Sequence, residues 1–139
     1  MTNTDSEPNN ATRKMDISSI LTPSGVIPAL RSGAKKAVLE ELAEKAAEVT
    51  GRDASEIFSV LLDREKLGST GVGGGVAIPH GKLNDLDRLY MVFARAQNPI
   101  EFDAVDEHPV DLFCMLIAPE EAGADHLKAL ARIPRLLRN

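Results

Sequence analysis

Aromatic residues are nearly missing: they make up 4 % of the 139-residue chain, and there is no Trp. A core must therefore come from Leu, Val, Ile and Ala, and a surface on which successive bases stack is excluded. Cysteine is down to one residue, so an internal disulfide is impossible. Cys114 lies in the apolar run Val110-Asp111-Leu112-Phe113-Cys114-Met115-Leu116-Ile117-Ala118, where a buried and inert thiol is expected. An excess of base is missing too, since 16 Lys and Arg face 21 Asp and Glu for a formal net charge of −5. The scattered cations argue against nucleic acid and against an anionic membrane surface as partners. No apolar stretch approaches the ~20 residues of a membrane span, and the polar start of the chain lacks a signal-peptide segment. No membrane insertion and a cytoplasmic location are the expectations. The histidines His80, His108 and His126 show no His-x-His or Cys-x-x-Cys spacing, so neither a metal site nor a bound cofactor is expected.

What is present fits one domain with a real core: 43 % of residues are hydrophobic and 27 % charged. Residues 1–14 read as a disordered polar tail, and 15–139 as the folded unit. Met15 to Leu21 opens the ordered part, and Thr22-Pro23-Ser24-Gly25 carries a turn signal. Val38, Leu42, Ala46 and Val49 recur at helical spacing, which predicts a helix over 34–50, capped by Ser32 and closed by Gly51. A second helix over 53–67 starts at Asp53, has Ile57, Val60, Leu61 and Leu67 on its apolar side, and ends at Gly68. A glycine-dense loop, Ser69 to Gly75, precedes a short strand, Val76-Ala77-Ile78, that Pro79 stops. Leu89 to Ala94 and Val110 to Ala118 are further strands; Asn98-Pro99 and Asp106-Glu107-His108-Pro109 are turns. A last helix opens near Ala124, with Leu127, Leu130 and Ile133 on one face, and Pro134 is expected to kink or stop it. The sequence ends without a helix-terminating signal, so this C-terminal helix reads as truncated. The order of elements predicts an α/β layered domain with a mixed sheet.

The glycine loop fails the tests for nucleotide binding. No Gly-Lys-Ser/Thr occurs, and a helix precedes the loop where a dinucleotide fingerprint needs a strand. The hydrolase elbow Gly-x-Ser-x-Gly is absent as well. His80 stands between Pro79 and Gly81 at a strand end. Neutral imidazole is a good nucleophile near neutral pH, and a turn histidine without chemistry is the competing reading. Arg64, in Asp63-Arg64-Glu65-Lys66, reads either as part of a solvated face or as a guanidinium reaching His80. His126 beside Asp125 is either a capping histidine or a second imidazole near the site. His108 belongs to a solvent-exposed turn.

The stretch Arg64-Glu65-Lys66-Leu67-Gly68-Ser69-Thr70-Gly71-Val72-Gly73-Gly74-Gly75-Val76-Ala77-Ile78-Pro79-His80-Gly81-Lys82 resembles the active-site signature of type-2 enzyme IIA domains of the phosphoenolpyruvate-dependent phosphotransferase system. That group includes the mannitol and fructose domains and the nitrogen-regulatory enzyme IIA. The runs Asn98-Pro99-Ile100-Glu101-Phe102-Asp103-Ala104-Val105-Asp106 and Pro109-Val110-Asp111-Leu112 are similar to the same family, closest to its nitrogen-regulatory branch. The resemblance implies a single-domain α/β sandwich, its mixed central sheet flanked by helices on both faces. It implies that His80 carries the phosphoryl group and that Arg64 and His126 are its active-site partners. Ser69, Thr70, Gly71, Gly73 and Gly81 would frame the phosphate. The donor would be a small HPr-like phosphocarrier protein. The receiver would be a regulatory target in nitrogen- or potassium-related signalling. A permease component of a sugar system, or docking without transfer, are the alternatives. Such a chain is a phosphotransferase component with a phosphohistidine intermediate and no small-molecule turnover of its own.

Overall fold

Val110–Pro119 is the strand on which the fold is assembled, because its apolar run can be buried on both faces at once. The computed structural model describes residues 21–121, with 130, 132 and 133. In chain order the elements are β1 (Leu21–Leu30), α1 (Lys35–Thr50), α2 (Ala54–Lys66), β2 (Gly71–Gly73), β3 (Val76–Ala77), β4 (His80–Leu83), β5 (Tyr90–Ile100) and β6 (Val110–Pro119). They form one mixed six-stranded sheet in the order β1-β5-β6-β3-β2, with β4 also on β6. β5 runs antiparallel to β6, β3 and β4 run parallel to β6, and β1 runs parallel to β5.

Side chains alternate along β6. Phe113, Met115 and Ile117 join Val92, Ala94 and the buried stripes of α1 and α2 in one core, with Phe113 edge-on to Phe102 at 5.3 Å between ring centroids. Cys114 and Leu116 face the other way and pack with Val76, Ile78, Met91 and Ile133. The helical residues Leu130 and Ile133 pack on this second side, so the sheet is covered on both faces as expected. Burial pushes the Cys114 thiol up to about 12, which leaves it inert at neutral pH.

Several local expectations are corrected. Thr22-Pro23-Ser24-Gly25 is not a turn but lies within β1. Leu21 pairs with Met91 and Val26 with Phe93, so the turn-prone residues form a bulge in an edge strand, where proline is tolerated. Asn98-Pro99 likewise falls inside β5, at the irregularity between Arg95 and Ile100. Ser32 does not cap α1; the N-cap is Ala34, with no side-chain bond. Ser32 instead donates from its hydroxyl to Glu41 at 2.8 Å, and the same carboxylate accepts the Arg31 and Ser32 backbone N–H groups. Leu67 is not on the apolar side of α2 but is 84 % exposed, because the helix ends at Lys66 before the stripe returns to the core. Asp53 and Gly51 behave as expected: the Asp53 carboxylate accepts from the Ser55 N–H at 3.1 Å, and Gly51 adopts a left-handed φ of 76°.

The glycine loop is a hairpin. β2 and β3 pair antiparallel across Gly74-Gly75, whose φ values of 67° and 79° are the left-handed pair that a tight primed turn demands. Gly71 is required for a different reason, since a Cβ there would stand 2.7 Å from the Ala104 Cβ and 2.9 Å from its Cα. Gly71→Ala is therefore expected to cost about 1–3 kcal/mol, the scale of an overpacked core. The check is the denaturant midpoint; an unchanged midpoint would mean that the Ala104 segment yields freely.

Candidate functional site

The helix α2 presents two neighbouring stripes to the rest of the molecule. Ile57, Leu61 and Glu65, four residues apart, are its buried positions. Beside them run Val60 and Arg64. Val60 packs against Gly81, where an added Cβ would lie 2.9 Å from the Val60 Cγ2. One turn further on, Arg64 meets His80: its Nε–H donates to the imidazole Nε2 at 3.2 Å. Its Nη1 donates to the Gly68 carbonyl at 2.8 Å, which fixes the guanidinium at both ends.

His80 is the first residue of β4 and pairs with Leu116. The expected strand 76–78 is shorter, and the chain resumes pairing with β6 just beyond Pro79. Ile78 and Pro79 form the interruption. The Pro79 carbonyl accepts from the Leu116 N–H at 2.9 Å, and the Ile78 carbonyl lies 2.9 Å from His80 Nδ1. A carbonyl can only accept, so Nδ1 carries the proton and Nε2 carries the lone pair. Arg64 donating to Nε2 requires the same tautomer. Burial of the ring pushes the His80 pKa below its ordinary value. The Arg64 charge acts in the same direction, while the Ile78 bond and the Glu65 charge oppose it. At neutral pH the ring is thus a neutral nucleophile with a guanidinium beside its lone pair.

Glu65 is the residue the sequence reading passed over. It is 7 % exposed, and its carboxylate oxygens accept the Thr70 N–H at 2.8 and 2.9 Å and the Thr70 hydroxyl at 2.9 and 2.8 Å. Lys35 stands 3.9 Å away and also lies over the Phe102 ring. The signal was in the sequence: Glu65 continues the spacing of Ile57 and Leu61 and so falls on the buried stripe.

The other loop residues make internal bonds. The Ser69 hydroxyl donates to the Phe102 carbonyl at 2.7 Å and accepts from the Gly71 N–H at 3.0 Å. Gly73 pairs with Val76, and the Gly74 N–H donates to Asp106 at 3.1 Å. Gly81 lets β4 approach α2. The structure therefore brings Arg64 and His80 into contact and links Thr70 to the ring through Ile78, whereas Ser69, Gly71 and Gly73 bond to Phe102 and within the hairpin. His126 and Pro134 lie outside the described residues. His108 is exposed in its turn. Among the described residues no group of three or more His, Cys, Asp or Glu is placed to hold a metal, and no helix is long and apolar enough to cross a membrane.

Comparison with known proteins shows the family. Residues 19–139 match the family model described as "Phosphoenolpyruvate-dependent sugar phosphotransferase system, EIIA 2". A nitrogen regulatory protein of Bradyrhizobium diazoefficiens is 57 % identical over 125 residues, covering 90 % of this chain and 82 % of the relative. A fructose-specific EIIA component of a phosphotransferase system in Haloferax volcanii is 38 % identical over 130 residues, covering 88 % and 82 %. The crystal structure of nitrogen regulatory protein IIA-Ntr from Neisseria meningitidis superposes with a TM-score of 0.79 at 38 % identity, over 84 % of this chain and 80 % of that one.

Proposed function

Because the chain belongs to the EIIA 2 family of the phosphoenolpyruvate-dependent sugar phosphotransferase system, we propose that His80 is the residue on which it takes up and hands on a phosphoryl group. The observation that carries this reading is the pair of bonds on one ring: Nδ1 to the Ile78 carbonyl at 2.9 Å and Nε2 to Arg64 at 3.2 Å. The first fixes the nucleophilic nitrogen. The second holds a planar cation beside that nitrogen, which supports a role toward the oxygens of an arriving phosphoryl group.

The reaction follows from that arrangement. The Nε2 lone pair attacks the phosphorus of a donor phosphohistidine in line; a new N–P bond forms as the donor's N–P bond breaks. The released electron pair returns to the donor ring, which leaves as neutral imidazole when its other nitrogen carries a proton. His80 keeps its Nδ1 proton and becomes the phosphoimidazolium, so no proton need move. Arg64 gives up Nε2 as the phosphorus arrives and transfers its N–H groups to the equatorial oxygens. Its Nη1 anchor on Gly68 makes this a short rotation rather than a search. Ser69, Thr70, Gly71, Gly73 and Gly81 shape the backbone around the phosphate, and His126 is assigned as a second imidazole partner. The donor is a small HPr-like phosphocarrier protein in the cytoplasm. The receiver is a regulatory protein of nitrogen- or potassium-related signalling, a reading supported by the 57 % identity to a nitrogen regulatory protein.

Intact-mass spectrometry tests acceptance, after mixing the chain with phosphoenolpyruvate, the first enzyme of the system and the phosphocarrier. An acid-labile phosphoryl adduct that maps to His80 is expected; a stable adduct elsewhere, or none, overturns the assignment. Adding a sugar permease component then separates the branches, because a regulatory domain keeps its phosphoryl group and a sugar-specific one gives it away. The pH dependence carries a sign. The His80 pKa lies below 6.5, so the attacking neutral form persists into mildly acidic solution. Acceptance measured with donor in excess should hold its rate from pH 8 down past 6.5 before it falls. A decline already complete at pH 6.5 would contradict the half-buried, neutral ring.

A further inference from the structure

Glu65 is a buried carboxylate for which the transfer step above has no use, yet its bonds lead to the reacting ring. It accepts both Thr70 donors. The Thr70 carbonyl accepts from the Ile78 N–H at 2.9 Å, and the Ile78 carbonyl accepts from His80 Nδ1 at 2.9 Å. Arg64, the neighbour of Glu65 on α2, holds the opposite nitrogen of the same ring. We propose that Glu65 is a positioning residue, which holds His80 in its Nδ1–H tautomer through Thr70 and Ile78; as a contribution to catalysis this rests on His80 being the phosphoryl acceptor.

The physical case begins with what the Ile78 carbonyl needs. Pro79 follows it, so the 78–79 peptide has no N–H and cannot be fixed from its other side. The residue is held instead through its own N–H on Thr70. Thr70 in turn sits in a glycine-dense segment whose intrinsic stiffness is low. A buried carboxylate with four close contacts to one threonine removes that freedom, at the cost of desolvating a charge that, among the described residues, Lys35 at 3.9 Å compensates. A merely structural tie would not require a charge at this depth, since a neutral acceptor could bond a hydroxyl. Two donors converge on one group, the Thr70 N–H and O–H, and the carboxylate accepts both.

Charge and position predict opposite results, which makes the idea testable. The Glu65 charge favours protonation of His80, so Glu65→Gln lowers the His80 titration midpoint and enlarges the neutral fraction. Were charge its whole role, acceptance at pH 7 would stay constant or rise. Positioning predicts a fall of roughly tenfold, the scale on which partners that orient a histidine ring act. Among the described residues, the titratable groups facing the ring or its relay include Arg64 and Glu65 of α2, Lys35 of α1 and Asp103, which Lys35 meets at 3.4 Å. None of the others changes in the variant.

The experiment is a long-range proton–nitrogen NMR spectrum of the His80 side chain in the full nitrogen-15-labelled chain, paired with the acceptance rate. In the natural chain one tautomer, Nδ1–H, should dominate. In Glu65→Gln both tautomers should be present, with the slower rate. A folded Glu65→Gln that keeps the single tautomer overturns the proposal, as does a mixed tautomer at full rate. If Glu65→Gln does not fold, Thr70→Val removes only the hydroxyl and Thr70→Ser restores it. A mixed tautomer in the first, reversed in the second, supports the relay, and a single tautomer in the first overturns it. The spectrum needs no phosphoryl donor. A chain that is never phosphorylated but whose His80 tautomer answers to Glu65 would sink the functional reading and keep the relay.

Discussion

His80→Gln leaves a folded chain that acquires no phosphoryl adduct from the charged phosphocarrier, while the natural chain is fully converted. Glutamine keeps a polar group of similar reach on β4, so the β6 pairing, which runs through backbone, survives. Its amide nitrogen has no available lone pair, and its oxygen would give an unstable adduct. The rate should drop below detection, because losing a covalent nucleophile removes a path rather than weakening a contact. An adduct persisting on the variant would move the acceptor to another residue. A second consequence follows from linkage. The folded His80 pKa is lowered from 6.5, so below that value the unfolded chain binds a proton more readily than the folded one. The natural chain therefore loses stability as pH falls through this range, and the contribution is fully present only above it. The variant lacks that term. Its denaturation midpoint should change less between pH 7 and 5 than that of the natural chain, and parallel curves would show that the ring is not stored neutral.

The elements with strong periodicity could be read from the sequence, and those depending on a neighbour could not. α1 and α2 declare themselves through apolar spacing, Asp53 and Gly51; β6 does so through an apolar run that only a strand buried on both faces needs. Pro23 and Pro99 misled because a proline reports the local backbone and not whether the strand lies at an edge or beside a bulge. β4 was missed because His80-Gly81-Lys82-Leu83 has no strand pattern of its own. It is a strand because β6 offers a parallel edge and Gly81 allows Val60 to come close. In the site, His80 and Arg64 stood out through their motif. Their contact depends on α2 placing Val60 and Arg64 along β4, which spacing alone does not supply. Glu65 stayed hidden because a charged triplet, Arg64-Glu65-Lys66, looks solvent-facing until the Ile57–Leu61 stripe is extended by one turn.

Arg64→Ala should slow acceptance by about 10²–10³, or roughly 2.7–4 kcal/mol, the loss typical of one donor to a developing oxyanion. Arg64→Lys should fall between the variant and the natural chain. A lysine keeps the charge but not the planar fork, so it cannot hold the Gly68 carbonyl and reach the phosphoryl oxygens together. Two effects are mixed in the alanine variant and pH separates them. The Arg64 charge helps to hold the His80 pKa down, so removing it moves the titration upwards and makes more of the ring cationic at pH 7. A cationic ring has no lone pair on Nε2 and cannot attack. At pH 8 and above, that part of the loss disappears in either chain. What remains is the stabilisation of the transferring phosphoryl group. Single-turnover rates across pH 6 to 9 therefore decide the role of Arg64. A deficit that persists at the alkaline end places the guanidinium on the phosphoryl oxygens. A deficit that vanishes there confines Arg64 to keeping the resting imidazole neutral, and the transferring charge must then be met by other groups around His80.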